Sequence, residues 1–247
     1  MMEIKPLSAL WSDAVIAPGN TYGRHDIYAG IHKALRMFMF DTLTRVGSAD
    51  SADAEGLKDT LAQLRSLLAF CAGHLQHENE FVHAAMEARR AGSTTEIAGD
   101  HVHHLLELAQ LRSLSDAVEH AAPAESARAL ARLYRELTLF VAHNLTHMDM
   151  EETRHNAVLW ATHSDQELAG IEQAIVASLP AEESALSMRW MIPAMNHAER
   201  VATLSGAQAQ APAEVFKGLL GIARANLSAR EWSALAAALS VPERLAA

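Results

Sequence analysis

The sequence predicts an all-α protein: an up-down-up-down four-helix bundle with a helical C-terminal extension. Three observations predict it. Half of the 247 residues are hydrophobic, while Gly and Pro, the helix breakers, number only 12 and 7. Apolar residues recur at three- and four-residue spacing over long stretches, the period of an amphipathic helix. No stretch alternates convincingly with period two, so no strand is expected.

The elements follow in chain order. A first helix is expected over about 26–46, with Gly47 as its stop signal. The stretch SADSADAEG then supplies a turn and caps. A second helix runs over about 54–90 and ends before Ala91-Gly92. Ser93 to Thr95 cap a third, which reaches about His120. Pro123 breaks the pattern, and a fourth helix runs over about 125–162. Short connections between long amphipathic helices imply antiparallel neighbours. Beyond Ser164 the segments shorten: 165–179, 181–195 with an interruption near Pro193, 198–209, 212–227 and 229–239. The expected organisation is an N-terminal segment 1–24, a bundle 25–163, and an extension or small domain 164–247. No internal repeat of fixed length is present.

Charge and composition exclude several classes. A formal charge of -10 argues against nucleic acid and anionic membranes as partners. Cys71 is the single cysteine, so neither an intrachain disulfide nor a cysteine-based zinc site is expected. No 18-residue apolar run and no basic-then-apolar leader occur, so the expected location is the cytoplasm. Phosphate-binding glycine loops, dinucleotide turns and G-x-S-x-G are absent from the sequence.

The informative residue is histidine. There are 14, and thirteen lie between His25 and His163. Residues three and four apart share a helix face. One stripe of the second helix reads Leu67, Cys71, His74, Glu78, Phe81, Ala85. A stripe of the fourth reads Phe140, Asn144, His147, Glu151, His155, Val158. His-x-x-x-Glu thus occurs on both. The first helix aligns Tyr28, His32, Leu35 and Met39; the third aligns Ile97, His101, His104, Leu108 and Leu111. Burying an uncompensated carboxylate or imidazolium costs several kcal/mol, and the sum would rival a domain's whole stability. Cations compensate: they neutralise the carboxylates and accept imidazole lone pairs. Mixed imidazole and carboxylate donors suit iron, manganese or zinc, and six or seven of them exceed the needs of one tetrahedral zinc. They fit two ions bridged by the two carboxylates.

The remaining polar residues have simpler readings. His77, His83, His103, His120 and His163 are expected at the surface or the rim. His25 lies near a helix start. His143 is a candidate hydrogen-bond partner for a ligand imidazole, and His155 is open between packing and function. Tyr28 is read as core, with a hydroxyl able to donate near the site. Cys71 and Met37, Met39, Met148 and Met150 are read as packing. Glu182-Glu183 reads as a solvated helix start and Glu151-Glu152 as half-buried.

The order His32, His74-x-x-x-Glu78, His101 or His104, His147-x-x-x-Glu151 resembles the hemerythrin-like, or HHE cation-binding, family. IHKALRMF, HLQHENEFVHAAMEAR and HMDMEETRHNAVLW carry the resemblance, which covers about 25–163. It implies His32, His74, His147 and a third-helix histidine, His101 or His104, as imidazole ligands. It implies Glu78 and Glu151 as carboxylates bridging two non-haem irons (Fe2+/Fe3+, oxo- or hydroxo-bridged), with manganese or zinc as substitutes. Two departures stand out. Oxygen-carrying hemerythrins space their third-helix ligands four apart, whereas His101 and His104 are three apart. They also place Asp five residues after the fourth-helix His, where this chain has Glu152; Glu151, four residues on, resembles the bacterial and iron-sensor branches.

Three functions fit. One is binding or sensing of oxygen, peroxide or nitric oxide, or a response to iron or oxidative stress. The second is a di-iron peroxidase, catalase-like enzyme or oxidase. The third is a regulatory protein whose segment 164–247 meets a partner or a second copy as metal occupancy changes. An imidazole-rich donor set favours the first over catalysis.

Overall fold

In a computed structural model of the chain, residues 23–242 are described. Every regular element among them is helical. The expected segments 1–24 and 164–247 therefore extend in part outside the described residues.

Helix α1 spans Ala29–Ser48 and α2 spans Ala54–His77. Asp53 caps α2 by accepting from the backbone N–H of Gly56. At Glu78 the coil widens into a π-helical segment, Glu78–His83, before α3, Ala84–Arg89. Helix α4 spans Thr95–Glu119 and α5 spans Pro123–Met150, with its proline in the first turn, where the missing N–H has no intrahelical partner to lose. A second π-helical segment, Glu151–His155, leads into α6, Asn156–Thr162. The expected second and fourth helices are thus each continuous runs interrupted by a wide turn.

Five shorter helices follow: α7, Asp165–Ser178; α8, Ala181–Ala194; α9, His197–Gln210; α10, Ala213–Asn226; and α11, Ala229–Ala238. Capping boxes start three of them: Ser164 with Glu167, Asn196 with Glu199, and Ser228 with Glu231. Pro193 was expected to interrupt α8, but the helix runs one residue past it. The carbonyls of Ile192 and Pro193 there accept from the Arg200 guanidinium.

The chain divides into two compact units. One is 35–155; the other combines 23–34 with 156–242. The sequence pattern placed a boundary at 163/164, eight residues beyond this division. In the unit 35–155, contacts fix the direction of each neighbour. Phe38 meets Phe70 (5.9 Å between rings) while Gln63 donates to Asp41 and Thr42, so α1 and α2 run antiparallel. Arg65 pairs with Asp116 and Glu119, near the far end of α4. Gln110 reaches Glu136, and Arg154 reaches Glu96, so α4 and α5 also oppose. Arg36 grips Glu152 with two hydrogen bonds of 2.7 and 3.0 Å, closing α1 on the end of the fourth run. Leu61, Leu64, Leu67, Leu108, Leu111, Leu133 and Phe140 fill the interior.

The other unit has its own apolar core, built from Met188, Ile192, Leu204, Leu220, Trp232 and Leu235 among others. In the same unit Arg24 pairs with Asp165 at 2.6 Å and donates to the carbonyls of Trp160 and His163. His25 Nε2 meets Glu172 at 2.9 Å.

Candidate metal centre

The interior of 35–155 changes character where both wide turns begin. Glu78 opens the first π-helical segment and Glu151 opens the second, and both carboxylates are buried. His101 comes from α4 and His147 from α5. One donor atom from each of Glu78, His101, His147 and Glu151 lies within 4.8 Å of all the others, and all four residues are buried.

The distances describe imidazole nitrogens and carboxylate oxygens converging on one another. His101 Nε2 lies 3.6 Å from Glu78 Oε2 and 3.6 Å from Glu151 Oε1. His147 Nε2 lies 3.3 Å from Glu151 Oε1 without hydrogen-bond alignment. The orientation of His101 is fixed from behind. Its Nδ1 is 2.9 Å from Asn79 Oδ1, an oxygen that only accepts, so Nδ1 is the donor. In the neutral ring Nε2 then aims a lone pair at two carboxylates. A proton on Nε2 or a cation between the groups relieves the repulsion between that lone pair and the carboxylates.

Glu78 reaches further. Its Oε1 is 3.1 Å from His74 Nε2, while its Oε2 faces His101. The two oxygens of one buried carboxylate therefore serve different imidazoles.

Further histidines line the same interior. His83 stacks on His101 at 4.8 Å and meets His155 edge-on at 5.3 Å. His83, Glu151 and His155 form another buried group with donor atoms within 4.8 Å of one another. Burial above all, then His101 and His155, hold His83 down to about 4. Burial also lowers His155, although Glu151 pulls the other way. His104 is held at about 3 by burial and by His147 and His101. These rings keep their lone pairs at neutral pH. His147 differs: burial works to lower it, but Glu151, Glu78 and Asp100 outweigh burial and leave it raised. Burial pushes the nearby Cys71 thiol up to about 12, consistent with an inert packing residue.

The structure thus brings together His74, Glu78, His101, His147 and Glu151 from the sequence-derived set. His104 is buried, with its ring 4.7 Å from His147, yet it contributes to none of the ligand-type groups found among the described residues. His32 is wholly buried in the first turn of α1, in the other unit, with its ring stacked on Tyr28 at 5.1 Å.

Several expectations need correction. His83 was expected at the rim but is buried, as is His163. For His83 the reason is the wide turn. A π-helical segment spends an extra residue per turn, so the face defined by Glu78 returns at Val82 and His83 instead of Phe81. Phe81 and Ala85, assigned to the stripe, are only half-buried, while Val82 and Met86 are buried. The second wide turn does the same, burying Leu159 in place of Val158. His143, expected to support a ligand imidazole, is exposed and bonds to Glu107 instead. Met37, read as packing, is exposed. Asn79, which orients His101, carried no sequence signal beyond its place next to Glu78.

No family model, curated protein or solved structure matches the chain. Among the described residues no helix is long and apolar enough to cross a membrane.

Proposed function

We propose that 35–155 forms the greater part of an up-down-up-down four-helix bundle of hemerythrin-like type, holding two non-haem irons. In this reading His74, Glu78, His101, His147 and Glu151 are ligands, with the carboxylates shared between the ions. His104 stands behind the site against His147. The observation that carries the reading is Glu78: a buried carboxylate whose two oxygens face different imidazoles, with no hydrogen bond to satisfy the His101 Nε2 between it and Glu151.

Iron would supply affinity for a small diatomic or peroxide ligand. The chain's own part is to exclude water, to fix the imidazoles, and to offer neutral His83 and His155 beside Glu151. An imidazole-rich set stabilises the lower oxidation states, so the function is binding or sensing of oxygen, peroxide or nitric oxide, or a response to iron or oxidative stress. A second reading, a peroxidase or catalase-like enzyme, is favoured by the buried His83 and His155 imidazoles, whose ring nitrogens lie within 4.8 Å of a Glu151 oxygen and add further acid-base groups to the same interior.

Optical titration of the iron-loaded protein tests the first reading and separates the two. A stable coloured adduct with nitric oxide or peroxide is the expected result. Rapid peroxide turnover without an accumulating adduct selects the enzyme, and a spectrum unmoved by any of these ligands rejects both.

A further inference from the structure

The seam between α4 and α5 carries another group of ligand-type side chains, apart from the buried ones. His103 and Glu107 stand one turn apart on α4, and His143 faces them from α5. One donor atom from each lies within 4.8 Å of the other two. Neighbouring rungs of this seam are complementary pairs, Arg154 with Glu96 and Gln110 with Glu136. This rung sets two imidazoles around a single carboxylate.

The distances show what is unresolved there. His143 Nδ1 is hydrogen-bonded to Glu107 Oε1 at 2.6 Å, and His103 Nε2 lies 3.5 Å from the same oxygen. Glu107 Oε2 is buried and accepts no hydrogen bond. An unpartnered buried carboxylate oxygen is costly, so this atom independently indicates a missing partner. The imidazoles themselves open to water, with side chains 61% and 48% exposed.

We propose that His103, Glu107 and His143 form a mononuclear site for a borderline divalent cation of the zinc class, completed by water. Two imidazole nitrogens and one carboxylate oxygen are the donors zinc takes at about 2.0–2.2 Å. A tetrahedral ion at those bond lengths separates its ligands by about 3.4 Å, close to the 3.5 Å between His103 and Glu107, while the 2.6 Å hydrogen bond from His143 to Glu107 has to open as the ion enters. The cation displaces the Nδ1 proton of His143, which leaves for solvent or moves to Nε2, and Glu107 can turn Oε2 to the ion. The one-turn spacing on α4 presents two of the three donors already aligned, so little freedom is lost on binding. Two imidazoles select against magnesium and calcium, which prefer all-oxygen shells. The bound ion clips α4 to α5 and leaves a water-filled coordination position facing solvent.

The test uses the full chain as purified, untagged, with its metal content counted beforehand. Zinc is titrated in against a chromophoric chelator, for the wild type, for a His103→Ala, His143→Ala double variant and for Glu107→Gln. The wild type is expected to take up one further zinc per chain. Loss of an outer partner alone costs a metal site about 10–100-fold in affinity, so loss of direct ligands should weaken uptake by at least that factor. The metal counted beforehand and the optical spectrum stay as in the wild type, which separates this site from the buried one. Zinc should also raise the melting temperature of the wild type and leave the double variant unmoved. Equal uptake by the wild type and the double variant, or no further zinc in the wild type, overturns the proposal.

Discussion

The two compact units both bury charged and polar side chains, and they satisfy them in different ways. In the unit containing α7 to α11, Arg200 is buried, and its guanidinium finds the carbonyls of Ile192 and Pro193 and the carboxylate of Glu231, all at 2.8–2.9 Å. Glu199, also buried, accepts from Lys33 and from the backbone N–H of Asn196. Every one of these contacts is an aligned hydrogen bond between opposite partners. In the unit 35–155 buried imidazoles converge on buried carboxylates at 3.3–3.6 Å: His101 and His147 toward Glu151, and His101 toward Glu78. Arg200 serves the fold that surrounds it. The imidazole-carboxylate cluster gathers donor atoms that could hold a metal ion. Buried polarity therefore points to function where several imidazoles and carboxylates converge on one place, rather than where each group pairs off with the backbone or an opposite charge.

The contrast can be broken in order of expected effect. Leu204 is wholly buried in the apolar core, and Leu204→Ala should cost about 2–5 kcal/mol. Denaturant unfolding should show the same loss before and after chelation, because no cation contributes to that core. A loss that depends on chelator would show the two units to be energetically inseparable.

Glu151→Gln should behave in the opposite way. It removes one of two facing carboxylates while keeping shape. After chelation the variant should be more stable than the wild type by about 1–3 kcal/mol, because one of two facing buried carboxylates no longer carries charge. Before chelation the order should reverse, because the variant has lost a ligand. If Gln lowers stability by the same amount in both conditions, Glu151 is an ordinary structural residue.

A smaller effect sharpens the comparison through pH. Burial works to lower the His25 pKa, but Glu172, Asp165 and Asp26 outweigh it and raise the group above its ordinary 6.5. The folded state then holds a proton more tightly than the unfolded chain. The resulting stability is fully present below pH 6.5 and is lost as pH rises through the folded value. Glu172→Gln should flatten this dependence, measured as melting temperature between pH 6 and pH 8. His83 and His104, at about 4 and about 3, are shifted the other way and stay uncharged across that range.

Much of the helical layout was legible in the chain, for definite reasons. Ser164, Asn196 and Ser228, each three residues before a glutamate, give the starts of α7, α9 and α11. Pro123 and the Ala91-Gly92 step mark where α5 begins and where α3 has ended. The stripe on α4 was legible because that helix keeps its 3.6-residue period throughout: Ile97, His101, His104, Leu108 and Leu111 are all buried. The second run was misread past Glu78 and the fourth past His155, because a fixed period cannot register a turn with an extra residue. A faint signal was present at two positions: Met86 is a larger apolar side chain than Ala85, and Leu159 than Val158. Which face His103 and His143 occupy depends on the pairing of α4 with α5, a long-range relation that local periodicity does not carry.

Elemental analysis of the natively purified chain, repeated on Glu78→Gln, tests the central claim most directly. The account predicts two transition-metal ions per folded wild-type chain and a loss of metal in the variant, whose neutral amide cannot bridge. A folded wild type that contains no bound ion, gains none from iron under anaerobic loading, and unfolds identically with and without chelator would contradict it.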